Sequence, residues 1–333
     1  MKLLLIANEV KDIERISNYT DMWSYYLSLS LLNCGVEICY HSPRVTNDDE
    51  FIANVLQVAK EECVDHILAL GVRFFSRLND RVGNEITNSF RGLVCQVHDG
   101  SLLDGAPVDV NFTVRDDDWR YVDNANNRMT RHKEFNYYIG WAADRKIFYP
   151  EQINDSHILQ VFVDHSTFTD TSPDYTLNVF MSLRRLQDKI YNNEIDGFKS
   201  LVVKTLTDDG IEKVDLDSFT IRPYNRTAVP LPIFSAELRR SHIFIVTHNE
   251  SVGLSVLEAA HCGALVIAPK ETINPCRLNC VKHIVFHGSI DWSKVVPMIS
   301  PEKNSLYVLS QNWDNVAYNL VKGLITMNKR NKK

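Results

Sequence analysis

The sequence is poor in glycine and proline, has a modest net charge and contains no long apolar run. It carries 13 glycines, 11 prolines and a formal net charge of -6 over 333 residues. This composition excludes collagen-like and low-complexity chains, and the acidic balance gives no general attraction to nucleic acid or an anionic membrane. No segment approaches the roughly 18 apolar residues of a membrane span. The apolar N-terminus, Leu3 to Ala7, is too short for a signal peptide, so we expect a cytosolic protein.

Cysteine is also sparse and shows no pairing pattern. The seven cysteines are an odd number and are scattered mostly through apolar segments. Cys276 and Cys280 have the spacing C-x3-C, but no second Cys/His pair lies nearby to complete a zinc site. We therefore expect reduced thiols and no metal ligands.

The first half of the chain alternates apolar runs with stretches of helical periodicity. The length predicts two domains of roughly 150 residues each, and continuous apolar strands between helices predict parallel sheets covered on both faces. Expected strands are 3–7, 36–40, 66–70, 93–97 and 108–114, with helices at 21–33 and 51–62.

The same pattern restarts after a turn-rich stretch that runs from Tyr149 to Asp155. Expected strands are 158–163, 200–204, 219–223, 243–247 and 265–268, with helices at 175–190, 234–240, 253–261 and 313–327. Two successive arrays predict two doubly wound domains. We expect an N-terminal domain at 1–150, a C-terminal domain at 151–312, and a final helix with a basic tail at 313–333.

The most informative segment, Ile243 to Pro269, reads IFIVTHNESVGLSVLEAAHCGALVIAP. A buried strand leads into a polar loop, a helix and a second buried strand, so polar groups gather where open α/β sheets bind ligands. The helix start offers free amides and a partial positive charge that suit a diphosphate. Glu250 can accept hydrogen bonds from sugar hydroxyls, and Glu258 can hold ribose hydroxyls. An ordinary amphipathic helix, with Glu258 in water, is the alternative.

The string Glu250-Ser-Val-Gly-Leu-Ser-Val-Leu-Glu258, followed by Ala259-Ala-His-Cys-Gly263, resembles the E-x7-E element of retaining GT-B glycosyltransferases in the glycogen-synthase-like family 4 group. The resemblance implies an α/β GT-B fold, with two Rossmann-like doubly wound domains facing a central cleft. It also implies that Glu250 contacts the donor sugar and Glu258 the ribose. By the same resemblance, the donor site includes Ser251, Gly253 and Leu254, with the last two supplying amides to the distal phosphate.

Other candidates lie at positions that correspond to binding regions of the family. Relatives hold the donor diphosphate with a Gly-Arg pair and a Lys, whereas this chain has Asp164, which cannot neutralise a diphosphate. His98 is a candidate catalytic group, and a strand-end turn with a satisfied His is an equal alternative. The remaining candidates are His165 and Lys204 for the diphosphate, Arg222 and Tyr224 for the base, and Asn18, Tyr19 and Asp99 on the acceptor side.

The resemblance implies a retaining glycosyltransferase that moves a sugar from a nucleotide-diphosphate donor, a UDP-sugar, to a hydroxyl acceptor. A nucleotide sugar would be the co-substrate, and no cofactor or metal would be obligatory. Two alternatives stay open: a nucleotide-sugar epimerase, and a degenerate GT-B module that acts as a non-catalytic partner subunit. A glycan or small-molecule acceptor is favoured over modified DNA, because the Arg-rich stretch 115–146 also carries many acidic residues.

Overall fold

The structure is a computed structural model of the chain. It describes residues 1–13, 16, 19–42, 47–70, 80–98, 108–114, 136–151, 157–164, 173–207, 210–218, 229–247, 254–269, 281, 283–286, 289–306 and 308–331.

The chain folds into two compact units. The first unit comprises Met1–Ala142 together with Gln311–Lys333, and the second comprises Ala143–Ser310. The chain therefore leaves the first unit before the expected boundary at residue 150. The C-terminal helix belongs to the first unit instead of forming a separate segment.

A six-stranded parallel sheet forms the first unit, in the order β2-β1-β3-β4-β5-β6. Its strands are β1 (Lys2–Ile6), β2 (Glu37–His41), β3 (His66–Leu70), β4 (Val94–His98), β5 (Val110–Thr113) and β6 (Asn136–Tyr138). Its helices are α1 (Tyr19–Asn33), α2 (Asp48–Glu61), α3 (Asp80–Ser89) and the C-terminal α9 (Trp313–Asn331). Strand β3 is buried along its whole length, as expected for a central parallel strand.

Helix α9 is joined to the first unit by aromatic packing. The Trp313 ring lies edge-on to Trp23 of α1, with 4.8 Å between centroids, and stacks on Tyr26 at 5.5 Å. Further along the helix, the Asn319 side-chain amide donates to the backbone oxygen of Ile139 at 3.2 Å. These contacts cross most of the sequence, which explains why local patterns did not assign α9 to this unit.

The second unit contains a six-stranded sheet in the order β12-β11-β10-β7-β8-β9. Its strands are β7 (Ile158–Asp164), β8 (Ser200–Thr207), β9 (Gly210–Lys213), β10 (Ile243–Val246), β11 (Leu265–Pro269) and β12 (His283–Phe286). All neighbours pair in parallel except β9, which is antiparallel to β8. The helices are α4 (Pro173–Tyr191), α5 (Leu231–Arg239), α6 (Leu254–His261), α7 (Trp292–Val295) and α8 (Pro301–Leu306), with a 3-10 turn at Val296–Met298.

Several elements differ from the sequence expectations. Strand β8 continues to Thr207 instead of ending at Lys204, and it pairs with the antiparallel strand β9. Helix α9 continues to Asn331 instead of ending at Met327. Sequence patterns did not predict six further elements, namely α3, β6, β9, β12, α7 and α8. The expected strand at 219–223 lies outside the described residues.

Arg239, at the end of α5, contacts the residues at the start of the second unit. Asp144 opens a turn there, since its backbone oxygen accepts from Ile147 N at 3.0 Å and from Phe148 N at 2.8 Å. The Arg239 guanidinium donates to Ile147 O at 2.8 Å, pairs with Glu151 at 3.2 Å and lies 4.9 Å from the Tyr149 ring centroid. One cation thus holds residues 144–151 against α5.

None of the described helices combines the length and apolar character needed to cross a bilayer. The five cysteines in the described part of the chain are free, and burial raises the pKa of the Cys95 thiol well above its ordinary value.

Gly263 should be required for the stability of the fold for two reasons, and Gly197 serves as a control that separates them. Both glycines have left-handed backbones, with φ of 87° and 88°, where a side chain costs about 1–2 kcal/mol. A Cβ on Gly263 would also lie 2.5 Å from Pro301 O, whereas a Cβ on Gly197 meets nothing within 4 Å. We expect Gly263→Ala to lower the free energy of unfolding by about 1–3 kcal/mol more than Gly197→Ala, as measured by chemical denaturation. Equal losses would contradict the close approach to Pro301.

The packing of α9 also predicts a stability difference along one helix. Trp313 is 5% exposed, whereas Tyr318 on the same helix is 61% exposed. Trp313→Ala should lower the free energy of unfolding by about 3–5 kcal/mol because it empties a buried aromatic site. Tyr318→Ala should change it by no more than about 0.5 kcal/mol. Similar melting profiles for the two variants would show that α9 is not an integral part of the first unit.

Candidate functional site

The order of strands in the second unit reverses between β7 and β10. From β7 the chain moves to β8 and β9 on one side, and from β10 it moves to β11 and β12 on the other. The two strands end together, with Val246 of β10 opposite Asp164 of β7. In open α/β sheets, ligands bind outside the carboxyl ends of the strands at this kind of reversal. We call the ends of β7 and β10, with the helix starts that follow them, the switch point.

Two helices begin after these strand ends, and each is tied to the neighbouring strand. Thr176, in the first turn of α4, donates from its hydroxyl to the hydroxyl of Thr247 at 3.0 Å. Ser255, in the first turn of α6, donates from its hydroxyl to Asp164 Oδ2 at 2.9 Å. All four side chains are buried. The start of a helix presents free backbone amides and a partial positive charge. With two helix starts held side by side, the amides and the positive charge of both are concentrated at the switch point.

Asp164 is the most unusual group at the switch point. Its side chain is completely buried, and its Oδ1 atom has no hydrogen-bond partner among the described residues. A buried carboxyl oxygen without a partner is costly, and most native structures avoid it. In the sequence, Asp164 is recognisable only as a departure from the family pattern. Ser255, Thr247 and Thr176 share no recognisable motif and were not expected at the site.

Glu258 lies in α6 and is 6% exposed. An ordinary amphipathic helix would have placed this carboxylate in water, so that alternative does not describe α6. Cys262, one turn later, has a raised pKa, first because of its burial and second because of the nearby Glu258 charge. Its thiol therefore stays protonated at neutral pH, and it is a core residue. Leu254, at the first position of α6, is partly buried.

Lys204 does not stand at the end of its strand. It lies inside β8, three positions before Thr207, and its ammonium group pairs with Glu237 of α5. Both side chains are largely shielded from solvent. From the sequence, Lys204 was expected to replace the cations that hold a diphosphate in relatives. In the structure its charge is already compensated by a neighbouring carboxylate.

Only two of the candidate site residues in the first unit lie within the described residues. His98 ends β4, where its backbone pairs in register with Thr113 of β5, and Tyr19 begins α1. The side chains of both lie outside what the structure describes. Next to His98, the buried Gln96 side chain donates to Asn111 Oδ1 at 3.2 Å. This polar pair below the strand end was not anticipated from the sequence.

The other candidates lie outside the described residues, so the structure assigns them no geometry. They are Asn18, Asp99, His165, Arg222, Tyr224, Glu250, Ser251 and Gly253. The structure does describe the residues on either side of this last group, namely Thr247 and Leu254. Within the described residues, no group of three or more His, Cys, Asp or Glu side chains is arranged to hold a metal ion.

Comparisons with known proteins identify the fold. No family model and no curated sequence matches the chain. Among solved structures, it resembles the lipopolysaccharide outer core galactosyltransferase WaaB, with 8% identity over 98% of this chain and 99% of that one, at a TM-score of 0.57. It also resembles sucrose-phosphate synthase from Thermosynechococcus elongatus, with 11% identity over 96% and 97% of the two chains, at a TM-score of 0.60. The chain therefore has the GT-B fold of these glycosyltransferases.

Proposed function

We propose that the chain is a glycosyltransferase that transfers a sugar from a UDP-sugar to a hydroxyl acceptor with retention of anomeric configuration. One observation carries the proposal: the E-x7-E string coincides with the switch point. The string spans residues 250–258, so it follows the end of β10 at Val246 and ends at the buried Glu258 of α6. Ligands of open α/β sheets bind outside the carboxyl ends of the strands at such a reversal, so the string lies where the fold favours a ligand.

The chemistry follows from the groups at the switch point. The starts of α4 and α6 would stabilise the negative charge that develops on the diphosphate leaving group. Glu250 would hold hydroxyls of the donor sugar, and the Gly253 and Leu254 amides would hold the distal phosphate. Glu258 would accept hydrogen bonds from the ribose hydroxyls. The protein's contribution is thus positioning and stabilisation of an oxocarbenium-like state.

Other candidates would complete the site around this centre. Ser251 and His165 would contact the donor beside the diphosphate, and Arg222 and Tyr224 would frame the base. On the acceptor side the proposed groups are Asn18, Tyr19 and Asp99, with His98 near the reacting sugar. Their support is the family resemblance alone.

One structural observation favours a second candidate, the non-catalytic partner module. Lys204 is paired with Glu237, and Asp164 stands where relatives carry cations. A site with fewer cations binds a diphosphate less tightly. An epimerase on the same fold is the other alternative. Incubation with UDP-glucose separates the three: free UDP without an epimer indicates transfer or hydrolysis, an epimer indicates isomerisation, and absence of binding indicates a partner module.

Glu250→Ala should reduce kcat/KM for UDP release by at least about 100-fold, since it removes a contact to the reacting sugar. The matched control is Glu212→Ala, an exposed position on β9 of the same unit, which should leave the rate unchanged. NMR of the sugar first released from UDP-α-glucose should show the α anomer if the configuration is retained. A fully active Glu250→Ala enzyme would refute the site, and an initial β anomer would refute retention.

Glu258→Gln tests the ribose contact separately from the sugar contact. A hydrogen bond is worth about 1.5–3 kcal/mol to a charged acceptor and about 0.5–1.5 kcal/mol to a neutral one, so UDP should bind the variant roughly five-fold or more weakly by calorimetry. 2′,3′-Dideoxy-UDP, which lacks both hydroxyls, should bind the variant and the parent protein equally. A variant that discriminates between the two nucleotides as strongly as the parent would remove Glu258 from this role.

A further inference from the structure

His242 joins the two strands of the switch point near their amino ends, on the edge of the sheet opposite to the switch point itself. It lies directly before β10, and its backbone amide donates to Gln160 O of β7 at 2.9 Å. In return, the Gln160 amide donates to His242 Nδ1 at 3.1 Å. The imidazole thus takes the place of a backbone acceptor and adds one hydrogen bond to the parallel β7–β10 ladder.

The surroundings of the imidazole favour its neutral form. His242 is 7% exposed, and the Phe198 ring lies edge-on to it with 5.6 Å between centroids. Burial lowers the pKa of His242 below its ordinary value of 6.5, because a buried cation loses its hydration. At neutral pH, Nδ1 is therefore an unprotonated acceptor, as its hydrogen bond with the Gln160 amide requires.

Among the described residues, no charged side chain contributes to this shift, since burial is the cause of the lowered pKa. Strand β11, which pairs with β10 on the side away from β7, contains no charged residue. The titratable residues closest in sequence to the contacts of the ring are all exposed, namely His157, Asp196, Lys199 and Arg240. Protonation would therefore place a positive charge in a buried position without a carboxylate to compensate it.

We propose that His242 is an acid-sensitive switch of the second unit, which holds β7 to β10 at neutral pH and releases their amino ends when its ring is protonated. Protonation changes Nδ1 from an acceptor into a donor, so two N–H groups then face each other where the hydrogen bond was. Because the folded state disfavours the protonated ring, the stabilisation is complete above pH 6.5 and is lost as the pH falls below that value. The inference does not depend on the proposed function.

Amide hydrogen exchange of the full chain, followed by NMR at about pH 7.5 and about pH 5, tests the inference. The protection factor of the Gln160 amide should fall as the pH is lowered. His242→Asn places a neutral amide oxygen at the position of Nδ1, so this variant keeps an acceptor that does not titrate in this range. The fall should be at least about three-fold larger in the parent protein than in His242→Asn.

Two controls separate the imidazole from general effects of acid. His157→Asn removes an exposed histidine of the same unit and should keep the pH response of the parent protein. The Leu93 amide of the first unit donates to His66 Nδ1 at 3.1 Å, and its pH response should be the same in the parent protein and in His242→Asn. Since His242→Asn also loses ring packing, each protein is compared with itself at the two pH values.

Thermal melting establishes that each variant is folded. If His242→Asn is not, NMR titration of the imidazole in the parent protein still decides: the ring of the folded protein should titrate below pH 6.5, and the Gln160 protection should begin to fall at that pH. An equal fall in the parent protein and in folded His242→Asn would overturn the assignment of the switch to His242, as would loss of the response in His157→Asn. A folded-state ring that titrates at or above pH 6.5 would overturn the direction of the switch.

Discussion

The reversal of strand order between β7 and β10 is the constraint on which the second unit depends. The connections after two adjacent parallel strands run to opposite sides of the sheet and leave a crevice at the carboxyl ends of the strands. The helices that follow both strands must begin there. Two buried hydrogen bonds, Thr176 to Thr247 and Ser255 to Asp164, fix these helix starts to the strands. The fold therefore places amide groups, hydroxyls and one carboxylate at a single edge, whatever ligand it receives.

Local sequence patterns are sufficient for the buried parallel strands and the longer helices. The strand at residues 66–70 matches β3 because a central strand is apolar throughout. The two strands and the helix expected between Ile243 and Pro269 are present as β10, α6 and β11. Short or polar elements could not be predicted from local sequence patterns. Strand β9 contains Glu212 and Lys213 at a sheet edge, and β6 has three residues, so neither has an apolar period to detect.

The site shows the same division between local and long-range information. Glu258 could be singled out because its motif is contiguous in sequence. Asp164 acquires its meaning only from Ser255, which lies 91 residues away. Likewise, Lys204 of β8 and Glu237 of α5 are 33 residues apart in sequence, and they pair only in the folded chain. Charge compensation of this kind is a property of tertiary contacts. A sequence pattern can therefore suggest a basic residue as a ligand contact although, in the fold, that residue is paired with a carboxylate.

The central claim is that a nucleotide sugar binds at the switch point of the second unit. A crystal structure of the chain soaked with UDP-glucose tests it most directly. We expect the diphosphate at the starts of α4 and α6, the ribose beside Glu258 and the glucose beside Glu250. A nucleotide bound at any other place, with the ends of β7 and β10 unoccupied, would contradict the account.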